Sequence, residues 1–180
     1  MEIITYVLSG ALSHRDSLGN GSTLQYGDVQ RMTAGTGIEH SEFNASTTEP
    51  VHLLQIWIRP AQIGLVPSYE ETSFTAAAKQ GQFCLIGSPD GRDGSVVIHQ
   101  DVWLYAAIVA EATQVIAYTP PSPERAIWLQ VATGTVCVNN TVLVAGDAVA
   151  ITDTTTPLTL QGINGAVGEV LLFDLPAVVS

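Results

Sequence analysis

The sequence predicts an all-β protein of antiparallel strands, in barrels or sandwiches, and three features of its 180 residues point there. Short runs rich in β-branched and aromatic residues alternate with Gly, Pro, Asn and Asp, the punctuation of strands joined by tight turns. One short stretch alone, around Thr75 to Gln80, has a helical composition. A glycine followed later by a Gly-Asp step occurs twice in β-rich surroundings, as Gly10 with Gly27-Asp28 and as Gly134 with Gly146-Asp147, which reads as an internal duplication.

The opening MEIITYVLSGAL has Glu2 after the first residue, no basic residues ahead of the apolar run and frequent β-branched side chains. Ile3 to Leu8 therefore reads as a strand and not as a signal peptide. Ser13-His14-Arg15-Asp16 reads as a solvated turn and Asn20-Gly21 as a hairpin tip. Gly27, Gly35, Gly37 and Gly146 are turn residues. Val51 to Ile58 is the next strand, with His52 expected as a hydrogen-bonded strand histidine. The region from Pro60 to the short helix is the join between two halves. Beyond it, Ser95–Ile98, Val102–Val109, Gln114–Tyr118, Ile127–Ala132, Thr135–Val138 and Val170–Phe173 read as strands, with Asn139-Asn140 at a hairpin tip. Trp57, Trp103 and Trp128 each lie in an apolar run and are expected to pack in the core.

A hydrophobic content of 46% and a mean hydropathy of +0.28 are ample for a core. Six basic against seventeen acidic residues give a net charge of −11, with Lys79 the one lysine. Such a surface repels nucleic-acid phosphates and anionic membranes, so neither is expected as a partner. No run approaches the ~18 apolar residues of a membrane span. Cys84 and Cys137 lie far apart with no CxxC, which suits reduced thiols and a cytoplasmic location.

The chemistry is concentrated in GDVQRMTAGTGIEHSEFN, Gly27 to Asn44, where His40 and Glu42 are two residues apart. On a strand both side chains point to one face. An imidazole and a carboxylate so placed are half of a metal site, since open catalytic sites usually take three protein ligands. His14, followed by Asp16, and His52 are the other histidines of this half. The second half contains His99 but no H-x-H or H-x-E, and is expected to be structural.

The spacing G-x5-T-x-G-x4-H-x3-N from Gly27 to Asn44 resembles the second cupin motif, with Thr33 where proline is usual and two extra residues before the histidine. TYVLSGALSHRDSLGNG, GDVQRMTAGTGIEHSEFN, LLQIWIRP, the stretch from Gly64 through Pro67-Ser68-Tyr69-Glu70-Glu71, SPDGRDGSVVIHQD and VLLFDLP together resemble the pirin family, closest to its bacterial quercetin-dioxygenase-like branch. The resemblance runs from Met1 to about Pro176. It implies a bicupin, two antiparallel β-barrels of the double-stranded β-helix or jelly-roll type. The N-terminal cupin domain would take residues 1–60, a linker 61–80, and a C-terminal cupin domain without metal 81–180.

It also implies one divalent metal, iron(II) foremost with zinc, nickel, copper and manganese as alternatives, held by an early H-x-H pair and a later H-x-E. His40 and Glu42 match the later pair. The early pair belongs to a stretch like HPHRDMEIITYV, with Met1 at its methionine. Both histidines and on the order of fifty further residues, enough for several strands, would then lie upstream, and the first barrel would be incomplete. With a full site the family's chemistry is quercetin 2,3-dioxygenase cleavage of a flavonol by dioxygen, giving carbon monoxide and a depside. There Glu42 would serve as ligand, and as base if it leaves the metal. The alternative is a non-catalytic cupin of the pirin type, with a binding or regulatory role toward a protein partner.

Overall fold

The computed structural model describes residues 1–110 and 114–176. Two compact units emerge, one of Met1–Phe74 with Ser88–Gln100, the other of Thr75–Gly87 with Asp101–Ser180.

The first unit holds β1 (Glu2–Ser9), β2 (Ala11–Asp16), β3 (Gly21–Gln25), β4 (Asp28–Thr33), β5 (His40–Asn44), β6 (His52–Ile58) and β7 (Ser68–Ser73). They form a four-stranded sheet in the order β6-β1-β4-β7 and a three-stranded sheet in the order β3-β2-β5, antiparallel throughout. β1 is central and buried from Glu2 to Leu8. The buried Glu2 carboxylate is compensated, as such a charge must be. It accepts from the Thr33 hydroxyl at 2.8 Å and the His99 backbone N–H at 2.8 Å, and lies 2.7 Å from His99 Nδ1.

Next come α1 (Ala76–Lys79), capped by the Thr75 hydroxyl, β8 (Cys84–Ser88), and β9 (Val96–Val97) on the segment that returns to the first unit. The second unit then adds β10 (Trp103–Val109), β11 (Val115–Tyr118), β12 (Ala126–Thr133), β13 (Thr135–Val138), β14 (Thr141–Val144), β15 (Ala148–Ile151), β16 (Leu158–Gln161) and β17 (Gly168–Leu175). Its sheets run β15-β12-β17-β10-β8 and β11-β16-β13-β14. Ile127, Leu129, Val136, Leu158, Leu160 and Leu172 lead an apolar core packed by Phe83, Tyr105 and Tyr118. Among the described residues no helix is long and apolar enough to cross a membrane.

The duplication seen in the glycines is a duplicated strand plan. Gly10 turns β1 into β2 and Gly134 turns β12 into β13, at φ of 74° and 70°. A Cβ at either position would collide with a carbonyl, that of Pro50 or of Val167. Asp28 accepts from the Gln25 N–H at 2.6 Å, and Asp147 from the Val144 N–H at 3.0 Å. β1 pairs with β4 as β12 pairs with β15. Asn139 and Asn140 form a two-residue hairpin, both at positive φ, as that turn requires.

Three expectations are corrected. The β2–β3 tip is Ser17 to Asn20, with Gly21 already in β3, because Asp16 accepts the backbone N–H groups of Leu18 and Asn20 and closes the loop there. Ser13 to Asp16 is not a solvated turn: it is strand β2, with His14 buried. Trp57 and Trp128 are not core residues but stand 64% and 42% exposed. The reason is parity, since Trp128 falls between the buried Ile127 and Leu129 of β12, while Trp57 lies on β6 at the margin of its sheet.

Candidate metal centre

His40 and Glu42 sit on β5, the edge of the three-stranded sheet, which pairs with β2 in a register that sets His40 opposite Asp16 and Glu42 opposite His14. Paired residues project to the same face. The His14 and His40 rings accordingly stack with centroids 5.7 Å apart, and His14 Nδ1 is 3.8 Å from Glu42 Oε1.

The face opposite these three residues belongs to the four-stranded sheet and is polar along a whole row. Glu71 on β7 pairs with Gln30 on β4, Gln30 with Thr5 on β1, and Thr5 with Gln55 on β6. The Gln30 amide nitrogen lies 3.4 Å from His14 Nδ1, and His14 Nε2 is 3.5 Å from Asp16. The Tyr69 hydroxyl is 2.6 Å from both the Ser22 hydroxyl and the Glu71 carboxylate, with its ring 5.1 Å from that of His14. Burial, then the bond to Glu71, pushes the Tyr69 hydroxyl well above its usual range, so it stays protonated. For Asp16 burial acts to raise the carboxyl, but the bonds from Asn20, His14 and Leu18 together hold it below its ordinary value.

Glu42 is held on one side only. Its Oε2 accepts from the Gln55 amide at 2.7 Å, and Gln55 Oε1 accepts from the Trp57 indole N–H at 3.1 Å. Its Oε1 is buried with no hydrogen-bond partner, and so is the Thr5 hydroxyl in the facing row. A buried carboxylate oxygen that accepts no hydrogen bond costs stability, and the nearest ring nitrogen to this one is His14 Nδ1 at 3.8 Å.

The pirin family model matches residues 1–58, and that of the quercetinase C-terminal cupin domain matches residues 85–175. The chain belongs to the pirin family. A quercetin 2,3-dioxygenase of Escherichia coli K12 is 44% identical over 181 aligned positions, which take in 99% of this chain and 74% of that protein. Among solved structures, YhhW of Escherichia coli superposes with a TM-score of 0.88 at 40% identity, covering 99% of this chain and 73% of that one. A bacterial pirin YhhW in complex with nickel(II) gives 0.87 at 42% identity over the same shares. The fold is that of a pirin bicupin.

Within this pirin fold the pair His40 and Glu42 fits a divalent metal in kind, offering an imidazole and a carboxylate oxygen that accepts no hydrogen bond. It does not fill a donor set: among the described residues no group of three or more His, Cys, Asp or Glu is arranged to hold a metal. His14 is tied at both ring nitrogens by Gln30 and Asp16, His99 is engaged with Glu2, and His52 is exposed on β6. An open cleft of about 460 Å³ at the small sheet is lined by Ser13, His14, Arg15, Ser22, Thr23 and Phe43 among others, and its lining includes neither His40 nor Glu42. Gln55 carries no site signal in the sequence, while Trp57 reads there as a core residue and His14 as a solvated turn residue weighed, with His52, as a further ligand. Parity was the available signal, since Gln55 and Trp57 share a face of β6 while His14 follows the buried Leu12 by two.

Proposed function

We propose that this chain carries the metal-dependent dioxygenase chemistry of pirins, oxygenolytic cleavage of a quercetin-like flavonol, with His40 and Glu42 as metal ligands in its N-terminal cupin domain. The observation that carries the reading is the unpartnered Glu42 Oε1 beside His40 in a polar interior. The second unit, by contrast, fills its interior with Val, Leu and Ile. The names of the relatives and the nickel(II) complex of YhhW support it. A divalent metal held by His40 and Glu42 would supply Lewis-acid chemistry toward the flavonol 3-hydroxyl.

The residues of the chain do the rest. Glu42 Oε1, free of hydrogen bonds, would accept the 3-hydroxyl proton when it is not held by the metal, while Gln55 keeps Oε2 fixed and prevents the carboxylate from turning away. The exposed Trp57 indole, bonded to Gln55, offers a flat apolar surface near the carboxylate. Net, one flavonol and one dioxygen give one depside and one carbon monoxide. Iron(II) is the metal proposed, and the cytoplasm the compartment.

A second reading, a pirin-type binding protein without catalysis, is favoured by one observation, the donor set that stops at two. The deciding experiment is metal stoichiometry after anaerobic iron(II) loading, on this chain and on His40→Ala, followed by carbon monoxide release from quercetin. One metal per chain, lost in the variant, with carbon monoxide formed, supports the dioxygenase. Equal metal in both and no gas overturns it in favour of the binding protein.

A further inference from the structure

β5 and β6 are edge strands of different sheets, so no backbone ladder sets the distance between them. A chain of side-chain hydrogen bonds does cross that gap, from the Trp57 indole to Gln55 and from Gln55 to Glu42. Its direction is fixed by chemistry. A glutamine amide has nearly the same shape either way round, but an indole N–H only donates and a carboxylate only accepts. With Trp57 on one side and Glu42 on the other, the Gln55 carbonyl must face the indole and its NH₂ must face Glu42.

The exposure of Trp57 calls for the same account. At 64% exposed it contributes little to the core, and its indole N–H donates to Gln55. The Gln55 backbone is anchored in turn, since Gln55 pairs with Thr5 on the buried central strand. Two rigid parts of the unit are thereby made to agree on where one carboxylate points.

We propose that Gln55 and Trp57 are positioning residues for Glu42, which hold Oε2 so that Oε1 alone is presented to a divalent metal. The proposal rests on the reading of Glu42 as a metal ligand. Residues that orient ligands in this way typically contribute 10- to 100-fold to metal affinity. Positioning by Gln55 acts through Glu42 alone, and that makes it separable from a general effect on the fold.

The test has two arms. In the metal-free protein, the ¹H–¹⁵N resonance of the Trp57 indole, assigned by its loss in Trp57→Phe, is expected to move in Glu42→Ala, because Gln55 is released. No movement overturns the proposal. In the second arm nickel(II) affinity is measured by calorimetry for the unsubstituted chain, Gln55→Leu, Glu42→Ala, the double variant and His40→Ala. Gln55→Leu is expected to weaken nickel about 10-fold or more, and to change nothing once Glu42 is absent. Unaltered affinity in Gln55→Leu, or the same loss with and without Glu42, overturns the proposal. If the unsubstituted chain binds nickel no better than His40→Ala, the ligand reading fails, and the indole resonance still decides whether Gln55 and Trp57 orient Glu42.

Discussion

Glu42 and His14 face each other across the β5–β2 pair with Oε1 and Nδ1 3.8 Å apart, close enough to interact and too far to hydrogen-bond. The gap leaves a buried carboxylate oxygen that accepts no hydrogen bond, a cost to the fold, and this is the oxygen proposed for the metal. Glu42→Gln removes the charge and keeps the shape, with the amide oxygen still able to accept from Gln55. Stability to urea is expected to be unchanged or to rise by up to about 1 kcal/mol, while metal binding falls at least tenfold. A variant that loses stability and binds metal normally would make Glu42 a structural residue.

The fold was legible because its signals are local. Strand runs such as Thr135 to Val138, the Asn139-Asn140 tip and the repeated Gly and Gly-Asp turns depend on neighbours within a few residues, and the structure has them. That His40 and Glu42 share a face was legible for the same reason, since they stand two apart on one strand. The rest of the centre is assembled by pairing between strands distant in sequence. Gln55 meets Glu42 across 13 residues and Tyr69 meets Ser22 across 47, and nothing local in either segment records it. His14 looked solvated because Ser, Arg and Asp surround it, yet its inward neighbour on the strand is Leu12, and parity outweighs composition.

The two glycines of the second half predict unequal responses to the same substitution. Gly134 and Gly146 both adopt positive φ, 70° and 93°, but a Cβ at Gly134 would strike the Val167 carbonyl, whereas at Gly146 nothing lies within 4 Å. Gly146→Ala is expected to cost about 1 kcal/mol, the strain of the backbone alone. Gly134→Ala is expected to exceed about 3 kcal/mol by denaturant unfolding. Equal costs would mean that the β12–β13 turn relaxes freely.

Asp90 is held at about 2, below its ordinary 3.8, first by the Arg92 side chain, with Ser88 also donating. A depressed carboxyl stabilises the turn above its unfolded pKa, and that contribution fades as pH falls from near 4 through about 2. Arg92→Gln is expected to return the Asp90 titration, followed by carboxyl carbon NMR, toward 3.8. An unmoved midpoint would assign the depression to the backbone and Ser88 bonds.

In the second unit the fully buried Asp174 accepts from the Arg125 guanidinium and, at 2.5 Å, from the Tyr118 hydroxyl. Burial acts to weaken the Arg125 charge, but Asp101, with Arg125 Nη1 3.0 Å from each carboxylate oxygen, and Asp174 raise its pKa on balance, and the guanidinium also lies over the Trp103 ring at 4.2 Å. Asp174→Asn therefore leaves a permanent cation with half its compensation. Breaking a buried pair on one side typically costs about 3–5 kcal/mol. Arg125→Leu alone strands the opposite charge and is expected to cost a similar amount. The double variant removes both charges, so its cost should fall short of the sum of the singles by more than about 1 kcal/mol. Additive costs in urea unfolding would show that Asp101 and Trp103 satisfy Arg125 without Asp174, and that Tyr118 is the partner Asp174 serves.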